Sequence, residues 1–295
     1  MIQAPDNINP DLQKKQLQEQ IIQAVNVVKS SNPMAGSITN TVTINFVANA
    51  QLAVGGSAAM VYLPDEGDFL AKAGGATYIN VGTLMPIYEE TLPRTAKALF
   101  DSGKPWVLDP VAIGIGALRS ELLLQFKNYK PNIIRGNASE IIALAGLWNL
   151  NGGSAVSRAR GVDATDSVNA AKEAAIALAR YTGGAVAVSG EIDLVTDGSL
   201  IALSYGGSHF MEIITGSGCS LGGVAAVYLT AASPFIAALA ATAVYNLAGK
   251  RAQLVTDAPA SFQVQFLDEL YKASAQEIAE NPFDLSAAED AIVSE

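Results

Sequence analysis

The sequence predicts an α/β fold, with a mostly parallel central sheet and helices on both faces. Two observations lead there. Short β-branched runs alternate with longer Ala- and Leu-rich stretches, the pattern of strand–helix–strand units with right-handed crossovers. The strand runs are apolar at successive positions rather than at every second one, as in strands covered on both faces.

The first 30 residues read as a peripheral N-terminal extension. Residues 39–54 read as a helix, Ala59–Leu63 as a strand and 66–74 as a helix. Thr77–Val81 is a strand that stops at Gly82, followed by a helix over 87–102. Trp106–Asp109 stops at Pro110, followed by a helix over 117–127. Asn132–Arg135 leads into a helix over 138–146, and residues 147–160 form a polar surface loop. A helix over 165–182 precedes the strand Ala185–Val188. Glu191–Thr196 and Leu200–Ser204, joined by Asp197-Gly198, read as a hairpin. Residues 217–280 are helical, and 281–295 form a peripheral acidic tail with little apolar periodicity. The expectation is one domain over residues 1–295.

Composition excludes several classes. A chain of 295 residues, half of them hydrophobic, can bury a sizeable core and is not disordered. One Cys and one His exclude a disulfide framework, a Cys-based structural zinc site and a His-rich metal centre. A net charge of −10 without a basic stripe argues against a nucleic-acid partner. The N-terminus has no apolar signal-peptide core, and with the unpaired Cys219 this points to the cytoplasm. Residues 213–249 carry no charge, yet they are rich in small residues and contain Pro234. Small residues add little to bilayer transfer, so a pair of closely packed buried helices is expected there and no membrane partner.

Ligands of open α/β sheets bind outside the carboxyl ends of the strands, and the distinctive residues lie at those exits. Thr215-Gly216-Ser217-Gly218-Cys219-Ser220-Leu221-Gly222 is a glycine-rich turn running into a helix. Consecutive N–H groups and the helix dipole there suit a phosphoryl group, and a tight turn before a packed helix is the plain alternative. Cys219 in that first turn is expected to have a lowered pKa, as a weak base or a nucleophile paired with His209, or else to be a small buried hydrophobe. Asn137-Ala138-Ser139-Glu140 fits a helix N-cap with an acid at the third position. Arg135 just before it is placed to grip a phosphate. Glu140, with Asp109 at the neighbouring exit, could face a Mg²⁺ carried by that phosphate. Ser189-Gly190-Glu191 and Asp193 are either a nucleotide contact or a solvated turn. No P-loop, dinucleotide fingerprint, protein-kinase motif set or nucleophile elbow is present.

Taken together, ordered strings resemble the hydroxyethylthiazole kinase family. They are Ser37-Ile38-Thr39-Asn40 with Asn45-Phe46-Val47-Ala48-Asn49, Asn80-Val81-Gly82-Thr83-Leu84, Asp109-Pro110-Val111, Ile134-Arg135-Gly136-Asn137-Ala138-Ser139-Glu140-Ile141, Gly161-Val162-Asp163, Val188-Ser189-Gly190-Glu191-Ile192-Asp193 and Thr215-Gly216-Ser217-Gly218-Cys219. The resemblance implies a three-layer ribokinase-like fold and transfer of the ATP γ-phosphoryl group, with Mg²⁺, to the hydroxyl of 4-methyl-5-(2-hydroxyethyl)thiazole in thiamine biosynthesis or salvage. It implies a homotrimer with active sites between subunits. Asn40 and Met60 would line the thiazole pocket. Arg135 and Ser189 would contact ATP phosphates, and Asp109 and Glu140 would serve Mg²⁺. Gly216 and Gly218 would supply anion-hole N–H groups, and Cys219 would orient or deprotonate the acceptor hydroxyl. This chain reads Gly36-Ser37 where the family usually has His-Asn, Ala112-Ile113-Gly114-Ile115-Gly116 where it has Gly-Ala-Gly-Ala-Thr, and Ala258-Pro259-Ala260 where it has Gly-Pro-Gly. A kinase for a related alcohol, or a weakly active nucleotide- or thiazole-binding member, is therefore the alternative.

Overall fold

The protein is described from a computed structural model covering residues 10–154 and 168–289. The Gly161-Val162-Asp163 string, part of the polar loop and the start of the helix expected at 165 lie outside the described residues.

Among these, nine strands share one sheet in the order β2-β1-β3-β4-β5-β6-β7-β8-β9. The strands β1 (Met34–Ile38), β2 (Ser57–Met60), β3 (Ala76–Asn80), β4 (Trp106–Asp109), β5 (Ile133–Asn137) and β6 (Ala185–Ser189) pair in parallel. The remaining three, β7 (Asp193–Thr196), β8 (Leu200–Ser204) and β9 (Phe283–Ala287), are antiparallel. Successive residues of a strand face opposite ways, so each central strand feeds two cores. Tyr78 and Val107 belong to one core, Ile79 and Leu108 to the other.

The second core is covered by α3 (Pro64–Ala73), α4 (Tyr88–Ser102), α5 (Ala117–Phe126), α6 (Ala138–Leu147) and α7 (Lys172–Thr182). The first is covered by α1 (Pro10–Ser31), α2 (Ile44–Ala53), α8 (Phe210–Ile213), α9 (Ser217–Leu229), α10 (Pro234–Gln253), α11 (Pro259–Lys272) and α12 (Ala275–Ala279). These are the three layers the sequence leads one to expect. β1 lies between β2 and β3, so the strand order reverses at β1 and opens a crevice at its carboxyl end.

One strand is added to those expected, and several expectations are corrected. The segment Met34–Ile38 is a strand although its MAGSI sequence lacks a β-branched run. Its glycine fits beneath α3, where a Cβ at Gly36 would stand 2.5 Å from Leu70 Cδ1. The helix expected from 39 begins only at Ile44, leaving 39–43 as the turn out of β1. The strand expected at Ala59–Leu63 is Ser57–Met60, because α3 starts at Pro64 and the intervening residues connect the two. The two termini are not peripheral within their described parts. Helix α1 buries Leu17, Ile21, Ala24, Val25 and Val28, a helical stripe packed on α10 and α12. In the tail, β9 pairs with β8 and buries Phe283. Its few apolar residues find a partner only through the sheet.

The uncharged segment forms α9 and α10, broken at Ser233-Pro234, as the pair of buried helices expected. No helix among the described residues is long and apolar enough to cross a membrane. Small residues let α9 lie close to its neighbours. A Cβ at Gly223 would come within 2.7 Å of Val47, and one at Gly222 within 2.4 Å of the Tyr78 ring.

Candidate active site

The parallel strands deliver their last residues to one end of the sheet. Asn80 is in register with Asp109, and Asn137 with Ser189. Asn40 follows β1, and Arg135 projects from β5. The start of α9 approaches from the layer above.

Asp109 is the centre of this arrangement. It is fully buried, and its Oδ2 accepts hydrogen bonds from Tyr78 Oη (2.8 Å), Asn80 Nδ2 (3.0 Å) and Arg135 Nη1 (3.4 Å). Its Oδ1 is buried with no partner. Burial raises the carboxyl pKa above its ordinary value, against the opposing pull of Arg135, Tyr78 and Asn80. The Tyr78 hydroxyl is pushed well above the usual phenol range by burial and by Asp109, so it stays a donor.

The Arg135 guanidinium also donates from Nη2 to Ser189 Oγ at 3.0 Å, while its buried Nε has no partner. Burial alone would lower its pKa. Asp109 and Glu140 more than offset this and raise it.

Glu140 forms the capping box of α6. Its Oε2 accepts from the Asn137 N–H (2.9 Å), and Asn137 Oδ1 accepts from the Glu140 N–H (2.9 Å). Its Oε1 accepts from the Ala112 N–H at 3.3 Å, which ties the loop after β4 to α6. Burial, then the charge of Asp109, pushes the Glu140 carboxyl up to about 7.

Gly216 is the N-cap of helix α9, and its φ of 95° suits glycine. Gly218 and Gly222 are one turn apart and share a face. A Cβ at Gly218 would lie 2.6 Å from Arg135 Nη2, just as one at Gly222 would meet Tyr78. The two glycines thus make room for two of the side chains that hold Asp109 Oδ2.

Cys219 Sγ lies 3.4 Å from both Asn40 Nδ2 and Asn80 Nδ2. The lowered pKa expected of a thiol at a helix start is not found. Burial and then the charge of Asp109 push it up, and these outweigh nearby polar groups. Nor is Cys219 paired with His209, whose ring packs on Phe210 at 4.1 Å between centroids. The Asn40 side chain accepts from the Thr43 N–H (3.1 Å) and donates to Asn80 Oδ1 (3.1 Å). Met60 ends the edge strand β2, half-buried at the same end of the sheet.

Sequence reasoning thus gathered Asn40, Asp109, Arg135, Glu140, Ser189 and Cys219 at one end of the sheet, and overlooked Tyr78 as well as the role of Asn80. A signal was present. Two hydrogen-bonding side chains at positions i and i+2 share a face in a strand buried throughout, and buried polar groups need partners.

The departures from the family strings fall in three places, one of them, Ala258-Pro259-Ala260, at the start of α11. Gly36 lies beneath Leu70, and Ser37 Oγ bonds the buried Gln51 side chain while standing in register with Met60 and Tyr78. Ala112 takes a left-handed φ of 59° where the family has glycine.

The residues fit a magnesium ion. A carboxylate oxygen, Asp109 Oδ1, is buried without a partner, and Asp109 lies close enough to the Glu140 carboxyl to raise the pKa of Glu140. Among the described residues no group of three or more His, Cys, Asp or Glu could hold a metal. Mg²⁺ is commonly taken through one or two carboxylates plus substrate phosphates.

These layers and this strand-end site define a protein of ribokinase-like fold. A ribokinase-like superfamily protein from Enterococcus faecalis matches with a TM-score of 0.58 over 89% of this chain and 95% of its own, at 15% identity. The chain belongs to the hydroxyethylthiazole kinase family, which it matches over residues 25–276. A hydroxyethylthiazole kinase of Bifidobacterium longum is 50% identical over 283 residues, 90% of each chain. The structure of the hydroxyethylthiazole kinase protein from Pyrococcus horikoshii superposes with a TM-score of 0.80 over 91% of this chain and 99% of its own, at 27% identity.

Proposed function

We propose that the protein transfers the γ-phosphoryl group of ATP to the hydroxyl of 4-methyl-5-(2-hydroxyethyl)thiazole, in thiamine biosynthesis or salvage. The observation that carries this reading is the meeting of Arg135, the start of α9 and the unpaired Asp109 Oδ1 at one strand end, beside the Cys219 thiol. The name of the Bifidobacterium relative supports the acceptor. At the Gly36-Ser37 departure, Gly36 packs against Leu70 and Ser37 bonds Gln51 while standing in register with Met60, so the choice of acceptor is supported by the relative's name rather than by this segment.

The backbone N–H groups at Gly216 and Gly218 and the helix dipole hold the migrating phosphoryl group. Arg135, with its free Nε, and Ser189 bind the flanking phosphates. Asp109 and Glu140 would hold Mg²⁺, which when bound neutralises charge on the ATP phosphates. Asn40 and Met60 bound the acceptor pocket. With its raised pKa, Cys219 acts as a thiol that orients the acceptor hydroxyl rather than as a ready base. Transfer through a loose transition state depends mainly on such positioning, and the hydroxyl proton leaves late, as the new P–O bond forms.

We further propose a homotrimer with the site completed between subunits, as the family resemblance implies; the half-exposed edge strand β2 and the exposed Leu63 just beyond it are in keeping with a contact there. Sedimentation equilibrium at the monomer mass would reject it. ATP use and an unpaired cysteine support a cytoplasmic reaction. The activity itself is tested by coupled ADP release with the thiazole alcohol. Absence of turnover with it and with related alcohols rejects the kinase reading, and calorimetric binding without turnover would reduce the protein to a thiazole- or nucleotide-binding member.

A further inference from the structure

The metal-side carboxylate, the acceptor-side thiol and the acceptor-side amide are joined through a single side chain. Asn80 Nδ2 is 3.0 Å from Asp109 Oδ2, 2.9 Å from Tyr78 Oη and 3.4 Å from Cys219 Sγ. Its Oδ1 accepts from Asn40 Nδ2 (3.1 Å) and from the Gly82 N–H (2.9 Å), which fixes the orientation of the amide. Tyr78 donates to the same Asp109 oxygen at 2.8 Å. Both residues are fully buried on β3, and the Tyr78 ring is held against Gly222 of α9. All three donors to Asp109 therefore converge on Oδ2, and Oδ1 is the oxygen left without one.

We infer that Tyr78 and Asn80 are positioning residues that lock Asp109 through Oδ2, present Oδ1 to the metal–nucleotide, and tie that geometry to the acceptor side through Cys219 and Asn40. The inference rests on the kinase reading above. Without those donors the carboxylate could rotate about its terminal torsion, whose energy wells are broad. The unpaired oxygen would then no longer be held in one direction. Tyr78 bonds Asp109 directly and reaches the acceptor side only through Asn80, whereas Asn80 itself touches both sides, so the two residues have separable effects.

The test measures binding to purified full-length protein by calorimetry, with ADP plus Mg²⁺ and with ADP plus chelator, beside steady-state kinetics and melting temperature. Tyr78→Phe keeps the ring against Gly222 and removes only the hydroxyl. It should weaken ADP binding in Mg²⁺ by about tenfold, the loss of one charge-assisted hydrogen bond. Binding in chelator and the KM for the thiazole alcohol should be unchanged. Asn80→Ala should show the same metal-dependent loss and also raise the KM for the alcohol. A merely structural role would lower the melting temperature and leave the metal-dependent difference intact. Tyr78→Phe binding ADP with wild-type Mg²⁺ enhancement would overturn the inference even if Asn80→Ala fails to fold. Wild-type protein whose ADP binding ignores Mg²⁺ would overturn the metal-site reading as well, so the two failures are told apart.

Discussion

Glu140 is held at the start of α6 by the hydrogen bonds that also bury its charge. Its carboxyl sits at about 7 in the folded protein against an ordinary 4.5. Between those values the folded state binds more protons than the unfolded state, so stability falls as pH rises through the window. The melting temperature of ligand-free protein should therefore decline over that range, and Glu140→Gln should flatten the decline while raising the Mg²⁺ requirement. Equal slopes for the two proteins would assign the titration elsewhere. Gly218 gives a second residue-scale prediction. In Gly218→Ala the new Cβ stands 2.6 Å from Arg135 Nη2, the far end of a flexible side chain. The variant should fold, with the guanidinium displaced, and its KM for ATP should rise by about tenfold or more, as expected for a lost charge-assisted bond. An unchanged KM would show that Arg135 does not serve the nucleotide. Ala112 shows a cost tolerated at this site. Its left-handed backbone costs about 1–2 kcal/mol, while its N–H caps the buried Glu140 carboxylate.

At the scale of elements, α9 has two functions. Its first turn faces the strand exits, and one turn later Gly222 admits the Tyr78 ring. Gly222→Ala would place a Cβ 2.4 Å from Tyr78 Cε2, a rigid ring in a filled core. Overpacking of this kind destabilises by about 1–3 kcal/mol, which urea unfolding would measure. Metal-dependent nucleotide binding should fall with it, because Tyr78 is also a donor to Asp109. A loss of stability alone would separate packing from the site. The small-residue stretch was legible in the sequence as two helices packed through glycine and alanine. Its reason was not, because Gly218 and Gly222 clear space for Arg135 and Tyr78, which come from strands more than eighty residues earlier.

At the scale of the whole molecule, the sheet is longer than its sequence pattern suggests. β9 closes the antiparallel side and buries Phe283 at 2% exposure. Lys14 of α1 donates to the Phe283 carbonyl and lies over its ring, so α1 and β9 meet there. Phe283→Ala should cost about 3–5 kcal/mol, as other buried phenylalanines do, whereas a peripheral tail would give under about 0.5 kcal/mol. Chemical denaturation decides between them. By itself, the sequence determined the alternation of strands and helices, the exits where Asp109, Arg135, Glu140 and Ser189 stand, and the capping box of α6. Those features depend on local periodicity and spacing, which a single chain displays. Only the tertiary structure decided that MAGSI is a central strand, that the tail joins the sheet and that the Cys219 thiol is raised rather than lowered. Only it could bring the Tyr78 and Asn80 donors to one oxygen of Asp109. Each of these is set by what a residue meets across the fold, because burial, pairing and field strength depend on neighbours distant along the chain.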